Sequence, residues 1–276
     1  MISIITAIYN QLDMNKLFYE YLIRYTQMPF ELIIIDNNST DGSAEFFRSK
    51  QVKVISNNGN YPYPYCQNQG IEQAKGELLA FLNNDLLVGK NWDTKCLEIM
   101  KNQNLDVAFC STNEKIETKK NTSKIYRRWK FIRKPLVTLF GTGTRNLRFM
   151  HWLMYGNWEK FTENRYAIFK ESVIPGISGS AVLLTRKGLN VLGMFDNRIQ
   201  AGDFDLYLRA KERALKHHDI KQPLVMLGVF VHHYVRLTAK HFYPPFVTAS
   251  EMIKIETKWS KQYANELLAD SGHQIV

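Results

Sequence analysis

Apolar and polar positions over residues 1–110 alternate between strand-like runs and helix-like segments. The clearest helix-like segment spans 13–27, where apolar residues recur at intervals of three and four. This repeated strand–helix order predicts an α/β fold with a doubly wound, mainly parallel sheet of Rossmann-like type. The runs predicted to form strands, each apolar enough to be covered on both faces, are ISIITAI (2–8), FELIIID (30–36), VKVIS (52–56) and ELLAFLN (77–83).

The pattern stops near residue 111 and resumes near residue 174. The segment between is rich in basic and aromatic residues and has no clear period. We therefore expect one domain with an insertion, and then a helix near 203–216, a strand near 224–233 and a C-terminal helix over roughly 247–268. The predicted divisions are a first half (1–112), a basic insertion (113–170), a second half (171–238) and a C-terminal helical tail (239–276).

The formal charge of +10 is concentrated in the insertion. Residues 115–170 contain 14 Lys and Arg against 3 Asp and Glu, a net charge of +11, so the rest of the chain is close to neutral at −1. A basic block on a nearly neutral body is informative about partners rather than about fold.

Composition narrows the class of protein. The chain is 45% hydrophobic and 22% charged, which is typical of soluble globular proteins, and no apolar stretch is long enough for a membrane span. Its three cysteines form no C-x-x-C pair, which predicts free thiols in a reducing compartment and no zinc site. Because the sequence opens on a strand-like run rather than a signal peptide, we expect a cytoplasmic protein, with the inner face of the membrane as a site of action.

Polar side chains gather where three predicted strands end: from Thr6 to Asn10, at Asp36, and at 83–85 (Asn-Asn-Asp). Parallel strands end at one edge of a sheet, so these clusters should meet at the edge where open α/β sheets bind ligands. Each cluster alone is also typical of a turn or a helix N-cap. No glycine-rich phosphate loop is present, so a bound diphosphate would need Mg²⁺ or Mn²⁺ held by a carboxylate.

TAIYN, IIIDNNSTDGS and NNGNYPYPYCQNQGIEQAKGELLAFLNNDLLV resemble, in this order, the nucleotide-binding half of glycosyltransferase family 2, whose members have the GT-A fold. The resemblance implies that Asp36 contacts the nucleotide base and that Asp85 is the metal ligand of a D-x-D-like element. It also implies nucleotide contacts from Thr6, Ile8, Tyr9, Asn68, Asn83 and Asn84.

GISGSAVLLTRKGLNVLGMFDNRIQAGDFDLYLRAKE and VFVHHYVRLT are similar to the second half of the same family. The similarity implies that Asp203 is the general base of an inverting reaction and that Gly179 and Asp205 contact the acceptor. It also implies a histidine in the metal shell. His232 is the first choice and His233 the second, since adjacent strand residues point to opposite faces. From the residues alone, a helix N-cap role for Asp203 and a structural role for the histidine pair stay open.

Three positions depart from the family pattern. The D-x-D-like element is N-N-D, which leaves one carboxylate where many relatives have two. Gly202 stands where an acidic residue precedes the general base, and Gln67 stands where a basic residue sometimes precedes Asn68. These departures predict weak metal affinity and a diphosphate that is neutralised by the metal or by the insertion.

KIYRRWKFIRKP (124–135) interleaves basic residues with aromatic and apolar ones. Four interpretations are open: association with a membrane surface through 115–170, binding of a phosphate-bearing or lipid-linked saccharide, binding of single-stranded nucleic acid, and a solvated loop with buried Trp anchors. The first two are favoured, and we expect no nucleic-acid partner.

Together these features predict an inverting, metal-assisted, hexosyltransferase-type enzyme of polysaccharide biosynthesis. The expected cofactor is a divalent cation (Mn²⁺ or Mg²⁺). The expected partners are a nucleotide-sugar donor, with UDP favoured, and a saccharide or lipid-linked saccharide acceptor. The alternatives are a non-catalytic glycosyltransferase-like module that binds nucleotide or membrane, and a nucleotidyltransferase, for which the sequence lacks a glycine-rich triphosphate loop.

Overall fold

Within residues 1–235, 237 and 244–275, which the computed structural model describes, nine strands form one sheet. Their order is β3-β2-β1-β4-β8-β6-β9-β5, and β7 also pairs with β9. The strands are β1 (Ile2–Ile8), β2 (Phe30–Asp36), β3 (Lys53–Ser56), β4 (Leu78–Leu82), β5 (Leu86–Leu87), β6 (Val107–Thr112), β7 (Val173–Pro175), β8 (Ala181–Thr185) and β9 (Leu224–His233).

The sheet is parallel where the apolar runs predicted it. β1 pairs in parallel with β2 and β4, and β2 pairs in parallel with β3. β8 runs antiparallel between β4 and β6, an insertion in the strand order that hydrophobic pattern does not reveal. The α/β class with a central, mostly parallel sheet is confirmed. Ile8 lies opposite Asp36, so the ends of β1 and β2 are level, as a site at this edge requires.

Eleven α-helices of the described chain flank the sheet, which separates two buried apolar clusters. Alternation along β1 shows the division: Ile4 and Ile8 belong to one cluster, and Ile5 belongs to the other. The helices are α1 (Leu12–Tyr25), α2 (Ser43–Ser49), α3 (Tyr63–Gln73), α4 (Trp92–Gln103), α5 (Lys119–Phe140), α6 (Thr144–Tyr155), α7 (Trp158–Phe169), α8 (Arg186–Leu192), α9 (Gly202–Lys216), α10 (Ile255–Lys258) and α11 (Lys261–Leu268).

The basic insertion, for which the sequence showed no clear period, consists of the three helices α5, α6 and α7. Trp129 and Trp158 are buried, and their indole N–H groups donate to the carbonyl oxygens of Tyr234 and Val88 at 3.2 and 2.9 Å. Trp152 is instead 60% exposed. The insertion is therefore part core and part surface. No helix in the described part of the chain is both long enough and apolar enough to cross a bilayer.

The single C-terminal helix predicted over 247–268 is wrong. A 3₁₀ turn at Ala249–Glu251 is followed by the separate helices α10 and α11. The last break falls at Trp259, whose backbone is extended and whose buried indole N–H donates to Asp205 at 2.9 Å. This contact anchors the tail on α9. Residues 239–243, at the start of the predicted tail, lie outside the described residues.

Candidate active site

A cavity of about 440 Å³ opens at the carboxyl ends of β1 and β2. Ile8, predicted as part of a nucleotide-binding wall, lies on its surface. Most of the remaining wall consists of aromatic rings and carboxamides, so we call it the aromatic cavity. These side chains are Tyr9, Tyr61, Tyr63, Phe246, Asn37, Asn60, Asn84 and Gln200.

Hydrogen bonds hold the carboxamides of the aromatic cavity in place. Asn84 Nδ2 donates to Asn15 Oδ1 at 2.7 Å, and Asn15 Nδ2 donates in turn to the Asn10 carbonyl at 2.9 Å. On the other side, Asn37 Nδ2 donates to the Tyr61 carbonyl at 2.8 Å. Since their rotamers are fixed before any ligand arrives, little conformational entropy is lost when a ligand binds there.

A second cavity, also about 440 Å³, adjoins the first and shares Tyr63 and Gln200 with it. We call it the Asp203 cavity. Its wall includes Asn83, Gly179, Asp203 and His233, four residues that the sequence singled out, together with Glu114. Gly179 is fitted to Asp203, because a Cβ atom at position 179 would come within 1.6 Å of Asp203 Oδ2.

Asp203 lies in the first turn of α9 and has the properties of a base. The N-cap residue of α9 is Ala201, so Asp203 does not have the alternative role of an N-cap. Burial raises the pKa of Asp203 above its usual value, the charge of Glu114 raises it further, and the backbone N–H of Phe204 opposes both. A carboxylate with a raised pKa in a cavity accepts a proton more readily than an ordinary aspartate.

Asp85 meets His233 at the edge of the sheet. The short pair β5–β9 places Leu86 opposite His233, which brings His233 Nε2 to 3.1 Å from Asp85 Oδ1. His233 Nδ1 lies 2.6 Å from Glu114 Oε2. Burial alone lowers the pKa of His233, but the charges and hydrogen bonds of Asp85 and Glu114 outweigh it and raise the pKa to about 10.

The structure reverses the preferred order of the two histidines. His232 points to the opposite face of β9, where its ring packs against Trp129 and His151 and its Nδ1 lies 2.9 Å from the Tyr155 hydroxyl. The reason is strand alternation: one residue earlier along β9, the side chain enters the core beneath the insertion instead of the cavity. His232 is therefore far better suited to a core role than to the metal shell.

The family model described as Glycosyl transferase family 2 matches residues 3–190, which include the wall residues that follow β1, β2 and β4 but not Asp203 or His233. The chain belongs to glycosyl transferase family 2. Relatives by sequence include "O-antigen biosynthesis protein RfbC" of Myxococcus xanthus, 25% identical over 233 residues, 78% of this chain and 16% of the relative. "Uncharacterized glycosyltransferase YibD" of Escherichia coli strain K12 is 30% identical over 116 residues, 41% of this chain and 34% of the relative. The chain thus spans well under two thirds of these relatives.

Solved structures of glycosyltransferases share the fold. "Crystal structure of GalNAc-T7 with UDP, GalNAc and Mn2+" superposes with a TM-score of 0.61 over 98% of this chain and 50% of that one, at 14% identity. "Mannosyltransferase PcManGT from Pyrobaculum calidifontis in complex with GDP-Man and Mn2+" has a TM-score of 0.53 over 97% of this chain and 74% of that one, also at 14% identity. The GT-A architecture expected from the family resemblance is confirmed.

The described residues around the cavities offer few donors for a divalent cation. Among residues 1–235, 237 and 244–275, no three His, Cys, Asp or Glu side chains are arranged to hold a metal ion. The pair Asp85–His233 offers one carboxylate oxygen and one imidazole nitrogen at the edge of the Asp203 cavity. Such a donor set fits Mn²⁺ or Mg²⁺ whose other ligands are diphosphate oxygens and water.

Two predicted nucleotide contacts lie just behind the cavity walls. Asp36 is buried, and its Oδ1 accepts a hydrogen bond from the Ser39 N–H at 3.0 Å. It is the next residue, Asn37, that reaches the aromatic cavity. Thr6 is fully buried, and its hydroxyl has no hydrogen-bond partner within the described chain. Neither side chain forms part of the wall lined by Ile8 and Tyr9.

Asn68 and Asp205 have structural partners instead of the predicted ligand contacts. Asn68 bridges α3 to the chain before α9: its Nδ2 donates to the Phe195 carbonyl at 2.8 Å, and its Oδ1 accepts from the Phe195 N–H at 3.0 Å. Asp205 is fully buried, and its two oxygens accept from Arg209, Trp259 and Lys258 at 2.8–2.9 Å. With their polar atoms already engaged, the structure supports neither Asn68 as a nucleotide contact nor Asp205 as an acceptor contact.

Packing accounts for the glycine at position 202. A Cβ atom there would lie 2.8 Å from Pro64 Cγ and 3.2 Å from Phe195 Cδ1, so α9 can approach α3 this closely only without a side chain. Gln67, which also departs from the family pattern, is completely buried, and neither polar atom of its side chain has a partner in the described residues.

Sequence reasoning missed Asn37, Asn60, Tyr61, Tyr63 and Gln200 as wall residues. The first four occur in the stretches NNST and NNGNYPYPY, which follow β2 and β3 at the carboxyl edge of the sheet. Their spacing has no period, so the only available signal was their position after predicted strands. Gln200 had no signal of its own and reaches the site because the 195–201 loop folds back onto α3, where Gln200 Oε1 accepts from the Tyr63 N–H at 3.0 Å.

Proposed function

We propose that this chain transfers a hexose from a nucleotide diphosphate sugar to a saccharide hydroxyl with inversion at the anomeric carbon. The observation that carries the proposal is the pair of adjoining cavities. One is an amide- and aromatic-lined cavity for a nucleoside, and the other holds a buried carboxylate, Asp203, beside the Asp85–His233 pair. Two sites divided by one shared wall suit a donor and an acceptor that must meet.

The aromatic cavity would hold the nucleoside. The faces of Tyr9 and Tyr61 offer stacking surfaces. Asn84 donates one amide proton to Asn15 and keeps its other amide proton and its oxygen for the base edge or the ribose. Asn37 would act by shape, because both its amide protons and its oxygen are already bonded within the protein. A donor beside an acceptor matches the edge of uracil, and UDP, the nucleotide favoured from the sequence, stays the favoured one. Asp36, behind Asn37, would act by holding the turn after β2 in place.

Asp85 and His233 would hold a divalent cation, Mn²⁺ or Mg²⁺, at the diphosphate. When bound, such a cation stabilises negative charge on the leaving phosphate. His233 serves as a ligand only as a neutral imidazole, so binding must displace the proton that Asp85 and Glu114 stabilise on it. This competition, with one carboxylate in place of two, accounts for the weak metal affinity that the N-N-D element predicts.

Asp203 would be the general base. As the acceptor oxygen bonds to the anomeric carbon, its proton passes to Asp203, and the bond from that carbon to the diphosphate oxygen breaks on the opposite face. A positioned base contributes about 10²–10⁴-fold to the rate. The acceptor, a saccharide or lipid-linked saccharide, would enter beside Gly179, in keeping with a role in polysaccharide biosynthesis at the cytoplasmic face of a membrane.

Calorimetric titration of UDP, GDP and dTDP, first with Mn²⁺ and then with EDTA, tests the donor site. We expect metal-dependent binding of UDP, lost in Asp85→Ala and His233→Ala and kept in His217→Ala, a matched control at the exposed end of α9. The metal assignment would be overturned if all three diphosphates bind equally well with Mn²⁺ and with EDTA, and bind equally well to wild type and to both variants.

Slow hydrolysis of the bound UDP-sugar, with water as acceptor, then tests the base. Asp203→Asn should bind UDP normally but lose hydrolysis by about 10²-fold or more. If wild-type protein binds the UDP-sugar without any turnover, even with saccharide acceptors added, the alternative of a non-catalytic nucleotide-binding module takes its place.

A further inference from the structure

We propose that the tip of the α5–α6 hairpin docks on a membrane surface that contains anionic lipid. The hairpin tip is defined here as the end of α5 from Phe131 onward, the turn at 141–143, and α6 as far as Trp152. The occupant we assign to it is a bilayer, not a protein groove or a nucleic acid. The assignment depends on exposed apolar area, on charge and on position relative to the cavities.

Exposed large apolar side chains are concentrated in the hairpin tip. Of the eleven large hydrophobic residues exposed among the described residues, six lie in α5–α7, and five of those are in the hairpin tip. Isolated exposed apolar residues are ordinary on soluble proteins, but a cluster of this size indicates an interaction site. The exposed fractions are 82% for Phe131, 71% for Leu139, 66% for Phe140, 46% for Phe149 and 60% for Trp152.

Three of these side chains form a connected surface around the turn. The rings of Phe149 and Trp152 stack with centroids 6.0 Å apart and planes 19° apart. Phe140 and Phe149 line one surface cavity together with Arg145. Phe140, Phe149 and Trp152 therefore present one aromatic surface, beside Leu139 at the end of α5. Aromatic rings with an apolar body suit the boundary between headgroups and acyl chains.

Exposed cations without ion pairs accompany the patch. On α6, Arg148 is paired with Glu20, but the other exposed basic side chains of α5 and α6 have no ion pair with any described residue. Lys134 and Arg145 lie in the hairpin tip itself, and those earlier along α5 are Lys119, Lys120, Lys124, Arg127, Arg128 and Lys130. Unpaired cations around an apolar patch complement anionic headgroups over the acyl region, where each is worth about fivefold in binding. Single-stranded nucleic acid would need a groove with stacking platforms, whereas this patch is the end of a hairpin.

The hairpin tip lies at the same edge of the sheet as the cavities. Thr144 Oγ1 donates to Asp13 Oδ1 at 2.6 Å in the first turn of α1. Two residues further along α1, Asn15 accepts from Asn84 in the wall of the aromatic cavity. Docking of the tip would thus hold the cavities near the lipid surface. If the proposed transferase function holds, docking of the hairpin tip favours a lipid-linked saccharide as the acceptor.

Vesicle co-sedimentation tests the docking without nucleotide or turnover. The full chain is mixed with vesicles of phosphatidylcholine alone and of phosphatidylcholine with phosphatidylglycerol, at low and at physiological salt. We expect association with the anionic vesicles only, weakened by salt. Trp152 fluorescence should shift to the blue as the indole leaves water.

Three variants divide the contributions. Phe140→Ser/Phe149→Ser/Trp152→Ser removes the aromatic surface and should abolish association. Lys134→Glu/Arg145→Glu should lower it by at least about fivefold for each cation removed. Leu215→Ser, which removes a 56%-exposed leucine from α9, is the matched control and should bind like wild type.

The proposal is overturned if the chain does not bind anionic vesicles at low salt, or if the hairpin variants bind as well as Leu215→Ser. It is also overturned if single-stranded RNA binds in place of vesicles, since that result assigns the patch to nucleic acid. UDP binding by calorimetry should be unchanged in all three variants. A failure of docking is thereby distinguished from a failure of the proposed transferase site.

Discussion

The Asp203 carboxylate lies against the Cα of Gly179, with no room between them for even a methyl group. The contact joins the start of α9 to the chain just before β8, two segments that are distant in sequence. It fixes the depth at which the carboxylate sits in the Asp203 cavity. The position of the Asp203 carboxylate thus depends on the absence of a side chain at Gly179.

Gly179→Ala is expected to displace Asp203 and to lower UDP-sugar hydrolysis by about 10²-fold, because a displacement of about 1 Å at a reacting group has effects of that size. UDP binding should be unaffected, since neither residue lines the aromatic cavity. Gly143→Ala is the matched control, because its new Cβ would meet nothing within 4 Å. Equal rates for the two variants would mean that the carboxylate needs no fixed depth.

The residues of the site were unequally visible in the sequence. Asp203 and Asp85 carried a family motif, and the structure places Asp203 in the wall of a cavity and Asp85 against His233 at its edge. Asn68 and Asp205 carried the same kind of motif, yet their polar atoms are hydrogen-bonded within the protein. Asn68 bonds to the 195–197 loop and Asp205 to the C-terminal tail, and these partners come close only in the folded chain. Tyr63 had no motif, because its role comes from the position of α3 against α9.

The pairing of β5 with β9 determines the direction of both histidines. His233 is directed to Asp85 and the cavity, whereas His232 is directed into an aromatic cluster with His151 and Tyr155. The pattern of apolar residues predicted β9 but did not show which face of the sheet each of the two histidines at its end points to. That direction depends on the pairing with β5, a two-residue strand too short to be predicted from sequence.

The buried histidines should make the fold sensitive to acid. Burial lowers the pKa of His151 to about 3 and holds that of His232 well below its usual value. The unfolded chain takes up these protons near pH 6.5, so the contribution of the two neutral histidines to the free energy of unfolding is fully present only above that pH. It should fall by about 1.4 kcal/mol per pH unit for each histidine as the pH is lowered from there. His233, whose pKa is raised to about 10, acts in the opposite direction: its stabilisation is fully present below pH 6.5 and is lost as the pH rises from there towards 10.

Denaturant unfolding between about pH 5 and about pH 7 measures this slope. His151→Phe/His232→Phe should flatten it, and His217→Ala, which alters an exposed histidine, should leave it unchanged. If the double variant has the wild-type slope, the acid sensitivity arises elsewhere, for example in the carboxylates.

On the scale of the whole molecule, the insertion is integral to the core and is not an appendage. Trp129, Met150 and Trp158 belong to the same apolar cluster as Ile4 of β1, and α7 packs along β9. The sequence identified the segment by charge; the helical spacing of Ile125, Trp129, Ile132 and Leu136 was present but was missed, and Pro135, a residue that normally ends a helix, lies within α5. The functional face and the core face of the hairpin are thus carried by the same helices.

We expect one cooperative unfolding transition for the insertion and the sheet. Tryptophan fluorescence, whose buried reporters are Trp129 and Trp158 in the insertion and Trp92 and Trp259 outside it, should follow the same midpoint as far-UV circular dichroism. A fluorescence transition at lower denaturant would show that the insertion unfolds by itself.

The packing of Gly202 against Pro64 also limits what can be engineered into this site. With proline at position 64, an acidic residue cannot be placed at 202 by one substitution, because the new side chain would meet a rigid ring at 2.8 Å. The proline must change as well, and that change by itself brings no acidic group to the site. An acidic neighbour before Asp203 therefore requires two coupled substitutions in two different helices.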